Sequence, residues 1–447
     1  MNTIHLKKGF SPAISGAPAR QLRHLEPLRH VGLSPVRIPF IKPRLLVAEG
    51  DRVAIGTPLF EDKRDVRMRF VSPGGGVVSR IAFGRRRVIE QIVITLDDEE
   101  RAEPFSVPSA DALPGISREA LIKLLLDGGM WPFLRALPFM DMAPPDAVPP
   151  AIMVRLGDDE PFAPDPAVYL KGHEADFASG IAVLKRLCER VLVNLTGELS
   201  IDTFLPGGTI VQRFSGPYPT GSPPVQHYRT KRGAAENRAW FVDGQALCLI
   251  GAFVRRGRYP VERVVSVGGA LAPEAGHVRT RAGAPLISLC GGRPISRPSA
   301  RFIVGGIFTG YADSSDGYMG FYQNALNLID DGDREEALAF IRPGANKPSY
   351  STAFLSALRK RPLPMDCSQH GEVRACVNCG TCARICPVDI LPQFTMKCLV
   401  ADEVEEALAH GLLDCAECGL CTYACPSKIE LREVFRAAKA QYYKETA

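Results

Sequence analysis

The chain has 447 residues, is 46% hydrophobic and 23% charged, and carries a net charge of +5. That is a globular composition with room for about two to four domains, each with its own core, and its small Arg excess, spread along the chain, leaves no nucleic-acid footprint. The longest apolar run, 246–254, is about half of a membrane-spanning helix, and the start MNTIHLKKGF has no apolar signal core, so the thirteen cysteines read as those of a reducing cytoplasm.

Residues 1–30 form a short apolar–basic start and a Pro/Gly-rich lead, GFSPAISGAPAR. From Val36 the hydrophobic period falls to two in short runs punctuated by Gly or Pro: VRIPFI, RLLVAEGDRV, TPLFED, RFVSPGGGVVSRIAF and RRVIEQIVITL, a β pattern. Glu49–Leu59 and SPGGGVV resemble pieces of a biotinyl/lipoyl-type barrel-sandwich, with Lys63 near the hairpin tip. The fold recurs without a modified lysine, and Lys63 is read as structural. Residues 1–100 are assigned to this unit.

Residues 101–255 alternate. ISREALIKLLLDGG is an amphipathic helix with a Gly stop, AIMVRLG a buried strand, SGIAVLKRLCERV a helix, LVNLTG a strand and AWFVDGQALCLIGAFVRRG a further helix. This order predicts a parallel, Rossmann-like layer. It lacks a G-x-G-x-x-G turn, and Gly128–Gly129 reads as a helix stop rather than a phosphate loop. Residues 256–330 return to short strands, RVVSVGG, HVRTRAGAPLISL and ARFIVGGIFTG, which suggest a β-grasp unit. Residues 331–447 are helical in period at REEALAFI, YSTAFLSALRK, ADEVEEALAHGLL and LREVFRAAKAQYYKE.

The chemistry sits in this last region. CVNCGTCARICP and CAECGLCTYACP are both C-x2-C-x2-C-x3-C-P: Cys376, Cys379, Cys382 and Cys386 with Pro387, then Cys415, Cys418, Cys421 and Cys425 with Pro426. This is the ligand run of a two-cluster ferredoxin, whose fourth cysteine crosses to the other cluster. Cys376, Cys379, Cys382 and Cys425 are therefore assigned to one 4Fe–4S cluster, and Cys415, Cys418, Cys421 and Cys386 to a second. Two-residue spacers let neighbouring thiolates reach adjacent irons, Gly380 and Gly419 relieve crowding, and the prolines turn the chain away. Structural zinc does not ask for this spacing, and disulfides are not expected in a reducing compartment. Cys188, Cys248 and Cys290 read as buried apolar side chains, and Cys367 and Cys398 lack partners at ligand spacing. No side chain is required as acid, base or nucleophile.

In this order the parts resemble the A subunit of the sodium-translocating NADH:quinone reductase (Nqr) and its relative, the C subunit of the Rnf complex. KKGFSPAISGAP, GGMWPFLRALPF, FSGPYPTG, and RVVSVGG followed by VRTRAGA carry the Nqr side over nearly the whole chain. The cysteine sets, which the usual Nqr A subunit lacks, are of the Rnf kind. Where Rnf C has a G-G-A-G-F-P-T loop for FMN and NADH, this chain has GGMWPFLRALPF. Trp131 and Phe133 are expected to fill the space of a flavin phosphate, which argues against bound FMN. Tyr218 stands where the Nqr family usually has His. The resemblance implies a peripheral subunit on the cytoplasmic face of the inner membrane. It would relay single electrons between a soluble partner (ferredoxin, flavodoxin or NADH) and membrane-embedded subunits, with ubiquinone among the substrates of such complexes. The alternatives are a docking scaffold and an FMN- and NADH-binding dehydrogenase subunit.

Overall fold

The structure, a computed structural model, describes residues 2–109, 112–197, 199, 201, 204–292, 300–332, 343–359, 361–368 and 372–446. The N-terminal lead contributes to two distant sheets: β1 (Asn2–His5) and β2 (Ala19–His24) pair with strands more than 200 residues later. β3 (His30–Leu33), β4 (Pro43–Leu45), β5 (Arg52–Val53), β6 (Pro58–Asp62), β7 (Asp65–Val71), β8 (Gly76–Phe83) and β9 (Ile89–Leu96) build the barrel-sandwich. They form two antiparallel sheets, β3-β9-β8-β5 and β4-β6-β7. Inward residues of both meet in one core, where the rings of Phe60 and Phe70 stack 4.8 Å apart beside Ile92 and Ile94. Gly76, in SPGGGVV, has φ +159, and a Cβ there would lie 2.0 Å from the Thr95 carbonyl oxygen, so this close strand approach needs glycine. Lys63 lies exposed at the two-residue tip between β6 and β7.

The expected strand at VRIPFI does not form. Pro35 opens a 3-10 turn, Pro35–Arg37, and the amides of Arg37 and Ile38 turn back to the carbonyls of Ser34 and Pro35. Two prolines within five residues leave too few free donors for a ladder.

The α/β domain follows: α1 (Arg118–Asp127), β10 (Arg135–Ala136), β11 (Asp141–Met142), β12 (Ile152–Leu156), α2 (Pro166–Tyr169), α3 (Glu174–Leu187), β13 (Val191–Thr196), β14 (Ile210–Ser215), α4 (Pro223–Thr230), β15 (Trp240–Asp243) and α5 (Gly244–Arg256). The sheet order is β1-β14-β13-β12-β15-β10-β11, parallel from β1 to β15 with an antiparallel edge. α1 starts on the Ser117 hydroxyl, which accepts from the Ala120 amide, a standard N-cap. The segment from Ala239 to Gly257 is not helical throughout. Trp240, Phe241 and Val242 are buried in strand β15, and the helix begins only at Gly244. Bulky residues buried on both faces favour a central strand, and period alone does not separate the two over so short a run.

β16 (Glu262–Gly268), β17 (Gly276–Arg281), α6 (Leu286–Leu289), β18 (Ala300–Val304), β19 (Tyr311–Asp313) and β20 (Ala325–Asp330) give a mixed sheet, β19-β18-β20-β16-β17-β2. Its first and last intrinsic strands, β16 and β20, are central and parallel. The helical region comprises α7 (Thr381–Ile385), α8 (Pro392–Val400), α9 (Val404–Ala409), α10 (Leu420–Ala424) and α11 (Leu431–Thr446). The helix expected in REEALAFI lies outside the described residues. That expected in YSTAFLSALRK is only a 3-10 turn, Leu355–Leu358. Its amides are drawn off by the preceding segment: Leu355 N–H donates to the Pro343 carbonyl and Ser356 N–H to that of Gly344.

Candidate metal centres and the cavity beside them

The two cysteine loops are copies in backbone as well as sequence. Positive φ recurs at Asn378 and Glu417, Gly380 and Gly419, and Asp389 and Lys428. Each pair has the same offset of 39 residues as Cys376 and Cys415. Gly380 and Gly419 open α7 and α10 in the left-handed region, φ +72 and +79. Each loop thus enters a short helix that carries the third thiol of its run.

The eight thiols of the two loops stand in two groups. Cys376, Cys379, Cys382 and Cys425 line one small hollow with Gln393. Cys386, Cys415, Cys418 and Cys421 line another with Phe435 and Arg432. Among the described residues no three His, Cys, Asp or Glu side chains converge closely enough to hold a single metal ion. Four thiols spread around a hollow suit a body larger than one ion, and an iron–sulfide cube with a thiolate at each corner is such a body.

The hollows differ in exposure. Around the first, Cys379 is exposed on the loop 372–379, and its sulfur lies 3.3 Å from the Thr381 hydroxyl, a hydrogen bond that holds its pKa below the usual thiol value. Cys382 is buried, 3.1 Å from the Gln393 side-chain amide, and burial pushes its pKa up. Around the second, burial pushes Cys415 to about 11 and raises Cys386, Cys418 and Cys421 as well. Thiolates there are costly unless a cation compensates them, and iron in a cluster does so. The other five cysteines stay outside both hollows, with Cys188, Cys248 and Cys290 buried elsewhere.

Other elements clamp the second loop. Lys439 on α11 is 2% exposed; its Nζ donates to the carbonyls of Cys415 (2.9 Å) and Pro138 (3.1 Å) and pairs with Glu417 at 2.8 Å. Arg432 Nε donates to the Glu417 carbonyl at 2.9 Å and its Nη2 to that of Thr309 at 3.0 Å. Tyr218 is buried, donates from its hydroxyl to the Cys418 carbonyl at 2.8 Å and stacks on Phe308. Arg229 of the α/β domain and Lys8 of the N-terminal lead both pair with Asp389, just after the first loop, at 2.8 Å, and Lys231 pairs with Asp414, just before the second, at 2.6 Å.

Cys418 also forms part of the wall of a cavity of about 570 Å3. This cavity lies at the carboxyl ends of β12 and β15, where open α/β sheets bind their ligands. Trp131 and Phe133 are absent from its lining. Trp131 sits in the main core, edge-on to Trp240 with its Nε1 donating to the Ala143 carbonyl at 2.7 Å, and Phe133 stacks on Phe321. Neither ring therefore occupies this cavity.

Three consecutive carboxylates follow β12, of which Asp158 and Glu160 line the cavity. Glu160 accepts from the Phe308 and Thr309 amides, both at 2.8 Å, and from the Thr309 hydroxyl. Asp159 accepts from the Thr220 and Gly221 amides at 2.7 and 2.8 Å. Burial pushes each up to about 7. Asp158 and Asp243 flank Arg155 at 2.6 and 2.5 Å. The backbone N–H groups that would greet a phosphate are thus already taken by the protein's own carboxylates. Sequence reading passed over this run, and its signal was an acidic triplet immediately following a buried strand. Lys439 also went unnoticed, although Leu431, Phe435 and Lys439 share one buried face at four-residue spacing.

Fold and site together define an iron–sulfur protein with a barrel-sandwich, an α/β layer and a helical dicluster region. The family profiles agree: NqrA N-terminal barrel-sandwich hybrid domain over 4–97, NqrA second alpha/beta domain over 116–259, and 4Fe-4S dicluster domain over 375–429. The A subunit of the Na(+)-translocating NADH-quinone reductase of Hahella chejuensis is 33% identical over 99% of this chain and 100% of its own. Those of Pseudomonas aeruginosa and Saccharophagus degradans are 33% and 31% identical at the same coverage. The chain belongs to this family, the A subunits of Na(+)-translocating NADH-quinone reductase. No helix among the described residues is long and apolar enough to cross a membrane.

Proposed function

We propose that the chain is the peripheral electron-transfer subunit of a membrane-bound, ion-translocating oxidoreductase of the Nqr/Rnf kind. In this reading two 4Fe–4S clusters relay single electrons between a soluble redox partner and membrane subunits. The observation that carries the reading is the pair of four-thiol hollows, each built from three cysteines of one loop and the fourth of the other. When bound, such clusters each take up and release one electron. The chain's own residues do the rest. Cys379 stands at the surface, within reach of an outside partner. Cys418 backs onto the inner cavity. The Thr381 hydroxyl and the Gln393 side-chain carbonyl are hydrogen-bond partners of Cys379 and Cys382 on the outer side, and Phe435, Leu420 and Ile390 exclude water on the inner side, both of which bear on redox potential.

Anaerobic purification followed by iron and sulfide analysis tests this. About eight irons per chain are expected, and Cys379→Ala should lose about half of them. A colourless protein, a zinc-loaded one, or full iron retention in Cys379→Ala would overturn the reading.

The 570 Å3 cavity beside Cys418 favours a second reading, a flavin- and NADH-binding dehydrogenase subunit. The carboxylates of Asp159 and Glu160 in the backbone nests weigh against phosphate at those positions. Titration of the purified chain with FMN and with NADH separates the two, since stoichiometric tight FMN would reverse the order.

A further inference from the structure

The two hollows have unlike electrostatic surroundings. Neutral groups, the Thr381 hydroxyl and the Gln393 amide, touch the thiols of the outer one. Arg384, whose charge acts on Cys379, is exposed and turned to the Thr381 hydroxyl. At the inner hollow the ammonium of Lys439 is buried against the Cys415 carbonyl, and Arg432 lines the wall. Lys439 is the one member of the buried face of α11 that is neither Leu nor Phe. A buried cation in an apolar row is costly unless it is paired, and Lys439 is held there by Glu417 and by the carbonyls of Cys415 and Pro138.

Resting on the two-cluster reading, we propose that Lys439 is a positioning residue that holds the inner cluster, on Cys386, Cys415, Cys418 and Cys421, at a higher midpoint potential than the outer one. Adding an electron to a cluster adds one negative charge, and a fixed ammonium behind Cys415 stabilises that reduced state where low dielectric leaves it poorly screened. The electron lost by the outer cluster is the one gained by the inner, so electrons delivered at the exposed Cys379 side run downhill towards the cavity wall at Cys418. Glu417, 2.8 Å from Lys439 Nζ, acts in the opposite sense and limits the effect.

The test is a mediated redox titration of the full chain, followed by EPR under anaerobic conditions after iron has been counted in each variant. Wild type should show two potentials. Lys439→Met should lower the higher one and leave the lower one in place, and Lys439→Arg should restore it. Glu417→Gln should raise it. A purely mechanical clamp gives no such opposite signs. Full iron with the higher potential unmoved in Lys439→Met, or moved in the same direction by Lys439→Met and Glu417→Gln, overturns this inference alone. If Lys439→Met loses its iron, the upward shift in Glu417→Gln decides. Wild type without iron sinks the two-cluster reading and this inference with it.

Discussion

Gly251 stands where α3 and α5 cross, and a Cβ there would lie 1.7 Å from the Asp176 carbonyl oxygen. No rotamer relieves a backbone clash, so Gly251→Ala must push the helices apart in a core that also holds Phe177 and Leu247. The expected cost is about 3 kcal/mol or more, read from a urea melt of the variant. His227 gives a pH signature. Burial first, and the neighbouring Lys231 second, lower its pKa to about 4. An unfolded chain would take up that proton near pH 6.5, so the neutral imidazole's contribution is complete above 6.5 and is lost as pH falls towards 4. His227→Gln should flatten this limb by up to about 3 kcal/mol. Because Asp159 and Glu160, raised to about 7, pull the other way, the measurement is the difference between variant and wild type across pH 4 to 7. At this scale the sequence was unevenly legible. Eight cysteines could be read because cluster chemistry dictates spacing along the chain. The roles of Tyr218, Lys439 and Glu160 could not, because they come from contacts with residues remote in sequence: four-residue spacing can place Lys439 on a buried face, but not against Cys415 and Pro138.

Among the elements, α11 shows what a helix is for beyond its amphipathic pattern. Its period was plain from LREVFRAAKAQYYKE, but its destination was not. Tyr443 donates to the Asp141 carboxylate at 2.6 Å and packs its ring 4.6 Å from Phe40 and 4.7 Å from Phe139. Asp141 in turn pairs with Arg64 at the β6–β7 turn. One aromatic residue therefore ties the cluster region to both the barrel-sandwich and the α/β domain. Tyr443→Phe keeps the rings and loses a hydrogen bond to a charged group, about 1.5–3 kcal/mol. Tyr443→Ala loses both, and limited proteolysis should then cut near the C-terminus sooner in Ala than in Phe, with wild type the slowest. Where element reading failed, the competing force can be named. At Trp240–Asp243 burial on two faces overrode a helical period, and at Leu355–Leu358 backbone acceptors at Pro343 and Gly344 outcompeted it.

Across the whole molecule, the chain order of the domains is not the order of their mechanical dependence. β1 completes the α/β sheet, and Leu6 just beyond it packs in the same cluster of buried residues as Cys382, Cys386 and Cys415. That cluster is small and counts thiols among its apolar contacts. The main core, by contrast, runs from Val31 in the barrel to Val264 in the β unit without touching a cluster-loop residue. The main core and the separate core of the β unit, around Val267, Leu286 and Leu326, rest on hydrophobic burial alone, whereas the cluster region rests on burial plus whatever the thiols hold. Stripping iron anaerobically with a chelator should therefore act locally. The buried thiols of the inner hollow would lose the cations that make thiolates tolerable there, and the loops around 372–430 would lose their cross-links, while the sheets of the first 330 residues, the edge strand β1 apart, would keep their hydrogen bonds. Hydrogen exchange on iron-loaded and iron-free protein checks this. Protection should fall in α7 to α10 and at β1, whose neighbour Leu6 shares that core, and persist in β6–β9 and β12–β15. Equal loss across all domains would mean that the clusters hold the entire fold together, and unchanged protection in α7 to α10 would mean that the thiols bear no structural metal there.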